Sequence, residues 1–135
     1  MATDGIDSVD ADTFGVLDGR LLGKPRDAAD ARRMLAEMNG REHRVITGFT
    51  ILDPQSGREL SQAVETAVRF RQLREDEIAA YVATGEPLGK AGAYAIQGLG
   101  ALLVEGIEGD FYNVIGLPLC ALAQGLGEFG ISLPF

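Results

Sequence analysis

Lys90 and Gln97 stand seven positions apart in the stretch Lys-Ala-Gly-Ala-Tyr-Ala-Ile-Gln-Gly that closes at Gly98, and an apolar run over residues 99–104 follows at once. Small residues let a backbone come close to a ligand. One ammonium then remains to meet an anion, and one carboxamide, donor and acceptor together, to read a hydrogen-bonding edge such as that of a pyrimidine. Upstream, Ala11-Asp12-Thr13 supplies a carboxylate suited to general-base work or to ligating Mg²⁺ or Mn²⁺. Gly23-Lys24-Pro25 presents a second ammonium on a turn stiffened by proline, well placed to meet phosphate oxygens. Splitting a phosphoanhydride needs these parts: an activated water, cations on the departing charge, and a pocket that holds the rest of the molecule in line. Each residue also has a plainer role. Asp12 fits a turn cap at a strand end, Lys24 an exposed turn, and residues 90–98 a tight connection between helix and strand.

The bulk numbers narrow the field. A chain of 135 residues that is 46% hydrophobic buries one core, so a single domain is expected over residues 11–135 after a poorly ordered start over 1–10. A net charge of −8 excludes a duplex nucleic acid partner, which demands a dense Lys/Arg surface. A small anion is compatible, because charges beyond roughly 10 Å are screened. The single cysteine, Cys120, lies in an apolar helical pattern and is expected as a buried thiol. The single histidine, His43, excludes a cluster of histidine metal ligands. No apolar run is long enough to span a bilayer, and the first residues lack a basic segment followed by an apolar one. A cytoplasmic protein with no membrane partner is expected.

Asp18-Gly19 between apolar stretches predicts a hairpin over residues 14–22. Ala28, Ala31, Leu35 and Met38 form a helical stripe over residues 27–39, with Asp27 as N-cap and Gly40 beyond the end. Arg32, Arg33 and Glu37 read as its solvated face. Residues 44–52 and 59–71 predict a long hairpin around the turn at 54–57, its second strand alternating on Leu60, Val64, Val68 and Phe70. Helical spacing returns over 75–83, with acids in its first turn and Gly85-Glu86-Pro87 as the stop. A strand is expected over 101–107, then Asp110 and Asn113 bracing a turn, then a last helix whose core stripe is Leu119, Leu122, Ala123, Leu126 and Phe129. Helices interleaved with long antiparallel hairpins favour an α/β domain with a mixed, curved sheet over a doubly wound parallel one.

Ala11-Asp12-Thr13, Gly23-Lys24-Pro25, the 90–98 loop and Glu108-Gly-Asp-Phe-Tyr-Asn-Val-Ile-Gly-Leu-Pro118, in that order, resemble the Maf family of nucleoside triphosphate pyrophosphatases from about residue 11 to 131. The resemblance implies a Maf or inosine triphosphatase-like α/β fold and hydrolysis of a nucleotide to its monophosphate and pyrophosphate with a divalent metal, Mg or Mn. It implies Asp12 as proton acceptor and metal ligand, Lys24 and Lys90 as substrate-binding residues, and Thr13 and Gln97 as readers of the nucleotide. The form of the 90–98 loop is similar to the branch acting on dTTP, UTP and modified uridine nucleotides, with Ala95 where glycine is common. Family members begin with a strand and a Ser-x-x-Arg loop. This chain begins just before the Asp-Thr pair, so the expectation is an N-terminally truncated domain. An enzyme is expected, with a catalytically inactive nucleotide-binding or septum-inhibition module as the alternative. Relatives form dimers, and a homodimer is expected here too.

Overall fold

The computed structural model describes residues 8–135. Its elements run β1 (Ser8–Leu17), β2 (Arg20–Leu22), α1 (Ala28–Met38), β3 (Glu42–Asp53), β4 (Arg58–Phe70), α2 (Glu75–Ala83), β5 (Val104–Glu108), α3 (Phe111–Ile115) and α4 (Leu119–Gly127). A short 3₁₀ turn at Ala91–Ala93 lies within the 90–98 loop, and a second at Leu99–Leu103 follows it.

The five strands form one sheet in the order β2-β1-β3-β4-β5. The expected α/β class with long antiparallel hairpins and flanking helices is what the chain adopts. Every pairing among the described residues is antiparallel, so the sheet is not mixed there. The Asp18-Gly19 turn forms as its residue types dictate, with positive φ at both positions (52° and 76°).

Strand β1 is longer than its sequence suggests. Ser8, Val9 and Asp10, placed in the poorly ordered start where Val9 is a candidate strand residue, already pair with Leu52, Ile51 and Thr50. The rest of that start, Ile6 included, lies outside the described residues. Asp12 is therefore mid-strand, opposite Gly48, and not a turn cap at a strand end. β2 pairs with β1 only over Gly15–Leu17. Among the described residues no strand lies on the outer side of β1 from Ser8 to Phe14.

Side chains alternate across a sheet, so the register assigns two faces. Thr13, His43, Val45, Thr47, Phe49, Thr66, Val68 and Phe70 share the face on which the helices pack, and most of them are fully buried. Asp10, Asp12, Arg44, Glu65 and Arg69 share the opposite face, where Arg44–Glu65 and Arg69–Glu105 ion pairs lie in solvent. Helices α1 and α2 close the core with Ala31, Met34, Leu35, Met38, Ile78, Tyr81 and Val82. Asp27 caps α1 through its side chain, as its type and position predict. Asp30, buried in the first turn of α1, accepts from the Arg26 N–H and from the Arg33 guanidinium, so Arg33 braces the helix as well as facing solvent.

Three expectations fail toward the carboxyl end. The stretch 101–107 begins as a 3₁₀ turn and becomes strand only at Val104. Pro118 divides the apolar run into α3 and α4, and α4 presents no leucine stripe to the core: its one buried residue is Gly125, and Leu119 is half exposed. A β-carbon on Gly125 would sit 2.9 Å from Ile51 Cδ1 and 3.2 Å from Leu60 Cδ2, so α4 approaches the sheet by its backbone. Cys120 is exposed, because it falls on the side of α4 turned from the sheet.

Candidate active site

Thr13, Lys90, Tyr94, Gln97, Val114 and Gly116 line one cleft on the helical face of the sheet. Each is delivered by a different constraint. Thr13 Oγ1 lies 2.8 Å from Thr47 Oγ1 and donates to the Gly116 carbonyl at 3.3 Å, so β1 and the end of α3 are tied at the cleft wall. Thr47 Oγ1 in turn donates to the Asn113 carbonyl. Asn113, fully buried, reaches under the cleft, where the two N–H groups of Nδ2 are shared among three acceptors, the Val45 and Val64 carbonyls and Thr66 Oγ1, each at 3.0 Å. The bracing role expected of Asn113 and Asp110 is realised, with Asp110 Oδ1 also accepting from the Tyr112 N–H.

The 90–98 loop is held from below by Tyr94. Its hydroxyl lies 2.8 Å from His43 Nε2, and both rings pack edge-on to Phe70. Burial drives the His43 pKa down to about 4 and pushes the Tyr94 phenol up, so both are neutral near pH 7. The loop is also strained: Ala93 is fully buried at φ 64°, a left-handed conformation that costs a residue with a β-carbon. Ala95 needs no positive φ, so the methyl at that position is accommodated. The Gly92 N–H donates to the Gly23 carbonyl at 3.1 Å, which joins this loop to the turn that carries Lys24.

Lys24 lines an adjoining cleft with Arg20, Arg26, Asp30 and Arg33. Asp12 lines neither cleft. It is exposed on the opposite face of β1 from Thr13, on the same side as Asp10 two residues away. The structure thus brings Thr13, Lys90 and Gln97 together, places Lys24 in a second cleft, and leaves Asp12 on the opposite face of the sheet, so its carboxylate does not share the cleft of Lys90 and Gln97. The cleft lined by Thr13, Lys90 and Gln97 is open to solvent and holds about 290 Å³, near the lower end of the range of about 300 to 1,000 Å³ typical of small-molecule sites.

Glu86, which the sequence presents as part of a helix stop, belongs to the site. Its carboxylate accepts from the Tyr81 hydroxyl and from the Leu99 and Gly100 N–H groups at 2.9 and 2.8 Å. Burial works against its charge, but these donors and the nearby Lys90 ammonium outweigh it and hold the carboxyl below its ordinary value. Nothing in the local pattern Gly-Glu-Pro signals an acceptor for backbone thirteen residues onward.

The fold is an α/β domain with a cleft between a sheet, a strained glycine-rich loop and a short helix, lined by a hydroxyl, an ammonium and a carboxamide. The Maf-like protein family matches residues 7–129, and the chain belongs to that family. It is 53% identical over 122 residues to a protein of Syntrophotalea carbinolica named dTTP/UTP pyrophosphatase, covering 90% of this chain and 56% of the relative. Proteins of the same name from Moorella thermoacetica and Methanococcoides burtonii are 55% and 53% identical, covering 91% and 93% of this chain and 63% and 64% of their own lengths. The chain thus spans somewhat under two thirds of these relatives. Among the described residues no helix is long and apolar enough to cross a membrane.

Proposed function

We propose that the chain is the nucleotide-reading part of a pyrophosphatase that converts dTTP, UTP or a modified pyrimidine triphosphate to the monophosphate and pyrophosphate. The observation that carries this reading is the meeting of Thr13, Lys90 and Gln97 in one cleft. Family membership and the names of the relatives support it. The base enters beside Gln97, whose carboxamide pairs with the O4 and N3–H groups of a pyrimidine, and Thr13 closes the opposite wall. Lys90 stands where the sugar leaves the cleft and meets the α-phosphate.

The phosphates then pass over the outer edge of β1, unpaired among the described residues, toward Lys24 on one side and Asp12 on the other. Asp12 takes a proton from the water that attacks the α-phosphorus. As the new P–O bond forms, the α–β bridging bond breaks and pyrophosphate leaves with its charge on the lysines. The cofactor this implies is Mg²⁺ or Mn²⁺. Asp12 and Asp10 share the open face at a separation of about 7 Å set by the strand repeat. They form a sparse, hard oxygen set suited to an ion held mainly by substrate phosphates and water. When bound, the ion would supply charge neutralisation on the phosphate oxygens. A second copy of the chain and a cytoplasmic setting belong to the same reading.

Pyrophosphate release from dTTP, UTP and ATP, with Mg²⁺ or Mn²⁺, tests it. Release from the pyrimidines that disappears in Asp12→Asn supports the reading. Binding of nucleotide without release of pyrophosphate shows a binding module instead.

A further inference from the structure

The turn that carries Gln97 has few internal supports. Outside the 3₁₀ turn Leu99–Leu103, the backbone of residues 95–101 makes the short bonds Gly98 N–H to the Ala95 carbonyl and Ala101 N–H to the Gly98 carbonyl. Its outside anchors converge on the end of α2. The Ala95 N–H donates to the Tyr81 hydroxyl at 3.1 Å, before Gln97. The Leu99 and Gly100 N–H groups donate to the two oxygens of Glu86, after it. Tyr81 donates to Glu86, so one dyad grips both ends of the turn, with Gln97 between them.

The dyad is itself fixed. Thr84 Oγ1 donates to the Tyr81 carbonyl at 2.6 Å and accepts from the Glu86 N–H at 3.2 Å, and the next residue, Pro87, is fully buried. The turn is shaped to receive it. A β-carbon on Gly98 would collide with the Glu86 carboxylate, and one on Gly100 would lie 2.5 Å from the Ala95 carbonyl oxygen and 2.8 Å from the Tyr81 hydroxyl. At Gly100 the backbone leaves no room for a side chain, and at Gly98 one would have to displace the Glu86 carboxylate. Gln97 itself is exposed, so its aim at a ligand depends on its backbone.

We propose that Glu86, with Tyr81, is a positioning residue that fixes the Gln97 turn and so sets which nucleobase the cleft accepts. This rests on the nucleotide reading above and goes beyond it, since neither residue touches the nucleotide. A carboxylate that accepts from two N–H groups and a phenol cannot be matched by an amide, whose NH₂ end faces donors.

Two readouts on Glu86→Gln and Tyr81→Phe test the proposal. Amide hydrogen exchange at Leu99 and Gly100 needs no nucleotide. It is expected to accelerate at least about tenfold in Glu86→Gln, while amides of β3 keep their protection. Unchanged exchange would overturn the clamp even in a fully active chain. In steady-state assays KM for dTTP and UTP is expected to rise about tenfold with kcat within about twofold, and preference for dTTP over ATP to fall by the same factor. A uniform loss of kcat with KM and preference unchanged would overturn the specificity role. Accelerated exchange in a chain that binds no nucleotide would refute the functional reading and leave the clamp standing, so the two failures are separable.

Discussion

His43 Nε2 and the Tyr94 hydroxyl lie 2.8 Å apart beneath the binding loop, in an environment that holds the imidazole neutral. That pair gives the fold a pH signature. With a folded pKa of about 4 against an ordinary 6.5, the unfolded chain binds the extra proton first as pH falls. Stability from this group is complete above pH 6.5 and drains between about 6.5 and 4, by up to about 1.4 kcal/mol per pH unit. Asp30 and Glu77 shift the same way by a different route. Backbone and guanidinium donors, from Arg26 and Arg33 for Asp30 and from Arg71 and Arg74 for Glu77, hold each carboxyl down to about 2. Their contribution is present above their ordinary values near 4 and is lost toward 2. Denaturant midpoints against pH are expected to show a first decline below pH 6.5 that vanishes in His43→Phe, and a second, below about pH 4, that does not.

Asn113 joins β3, β4 and the start of α3 through one amide group. Replacement by Leu removes a partner from two buried carbonyls and from Thr66, at a cost of about 3 kcal/mol. Thermal unfolding is expected to drop by roughly 10 °C. A change of under about 2 °C would show that those groups find other partners.

Gln97→Ala is expected to raise KM for dTTP and UTP by about tenfold to a hundredfold while leaving ATP little changed, because a site built for hydrogen bonds loses most with the substrate that makes them. Lys24→Ala, in the adjoining cleft, is expected to weaken every triphosphate alike by about tenfold or more, since an ammonium reads charge and not base. Initial rates over a range of nucleotide concentrations separate the two patterns.

Helix α4 meets the sheet through Gly125. Gly125→Val is expected to displace it and cost about 1 to 3 kcal/mol, read as a shift in denaturant midpoint. Cys120, on the outer side of that helix, is expected to react with a thiol reagent in the folded protein as fast as in denaturant within about tenfold. Strong protection would place α4 differently.

What was readable in the sequence follows from how local each signal is. Asp18-Gly19, the α1 stripe with its Asp27 cap and the 75–83 helix carry their instructions within a few residues, and they form as read. The continuity of β1 was hidden because Asp10 and Asp12 follow the candidate strand residue Val9 and lie on an open face, so the apolar signal lapses before Phe14. The α4 stripe misled because the helix packs by a missing side chain, which no hydrophobic pattern records. Among the site residues, Lys90 and Gln97 stood out by composition, and Thr13 by family resemblance. Glu86 was invisible because its partners are backbone groups on a distant turn, and backbone donors leave no trace in residue types.

The central claim is that the Thr13, Lys90 and Gln97 cleft holds the base of a pyrimidine nucleotide. Photo-crosslinking with 4-thiouridine triphosphate, followed by peptide mapping, addresses it directly, because the sulfur replaces the base oxygen assigned to Gln97. The expected result is labelling within residues 90–97 or at Thr13, competed by dTTP and not by ATP. Labelling confined to the open face around Arg44 and Glu65, or indifference to dTTP, would contradict it.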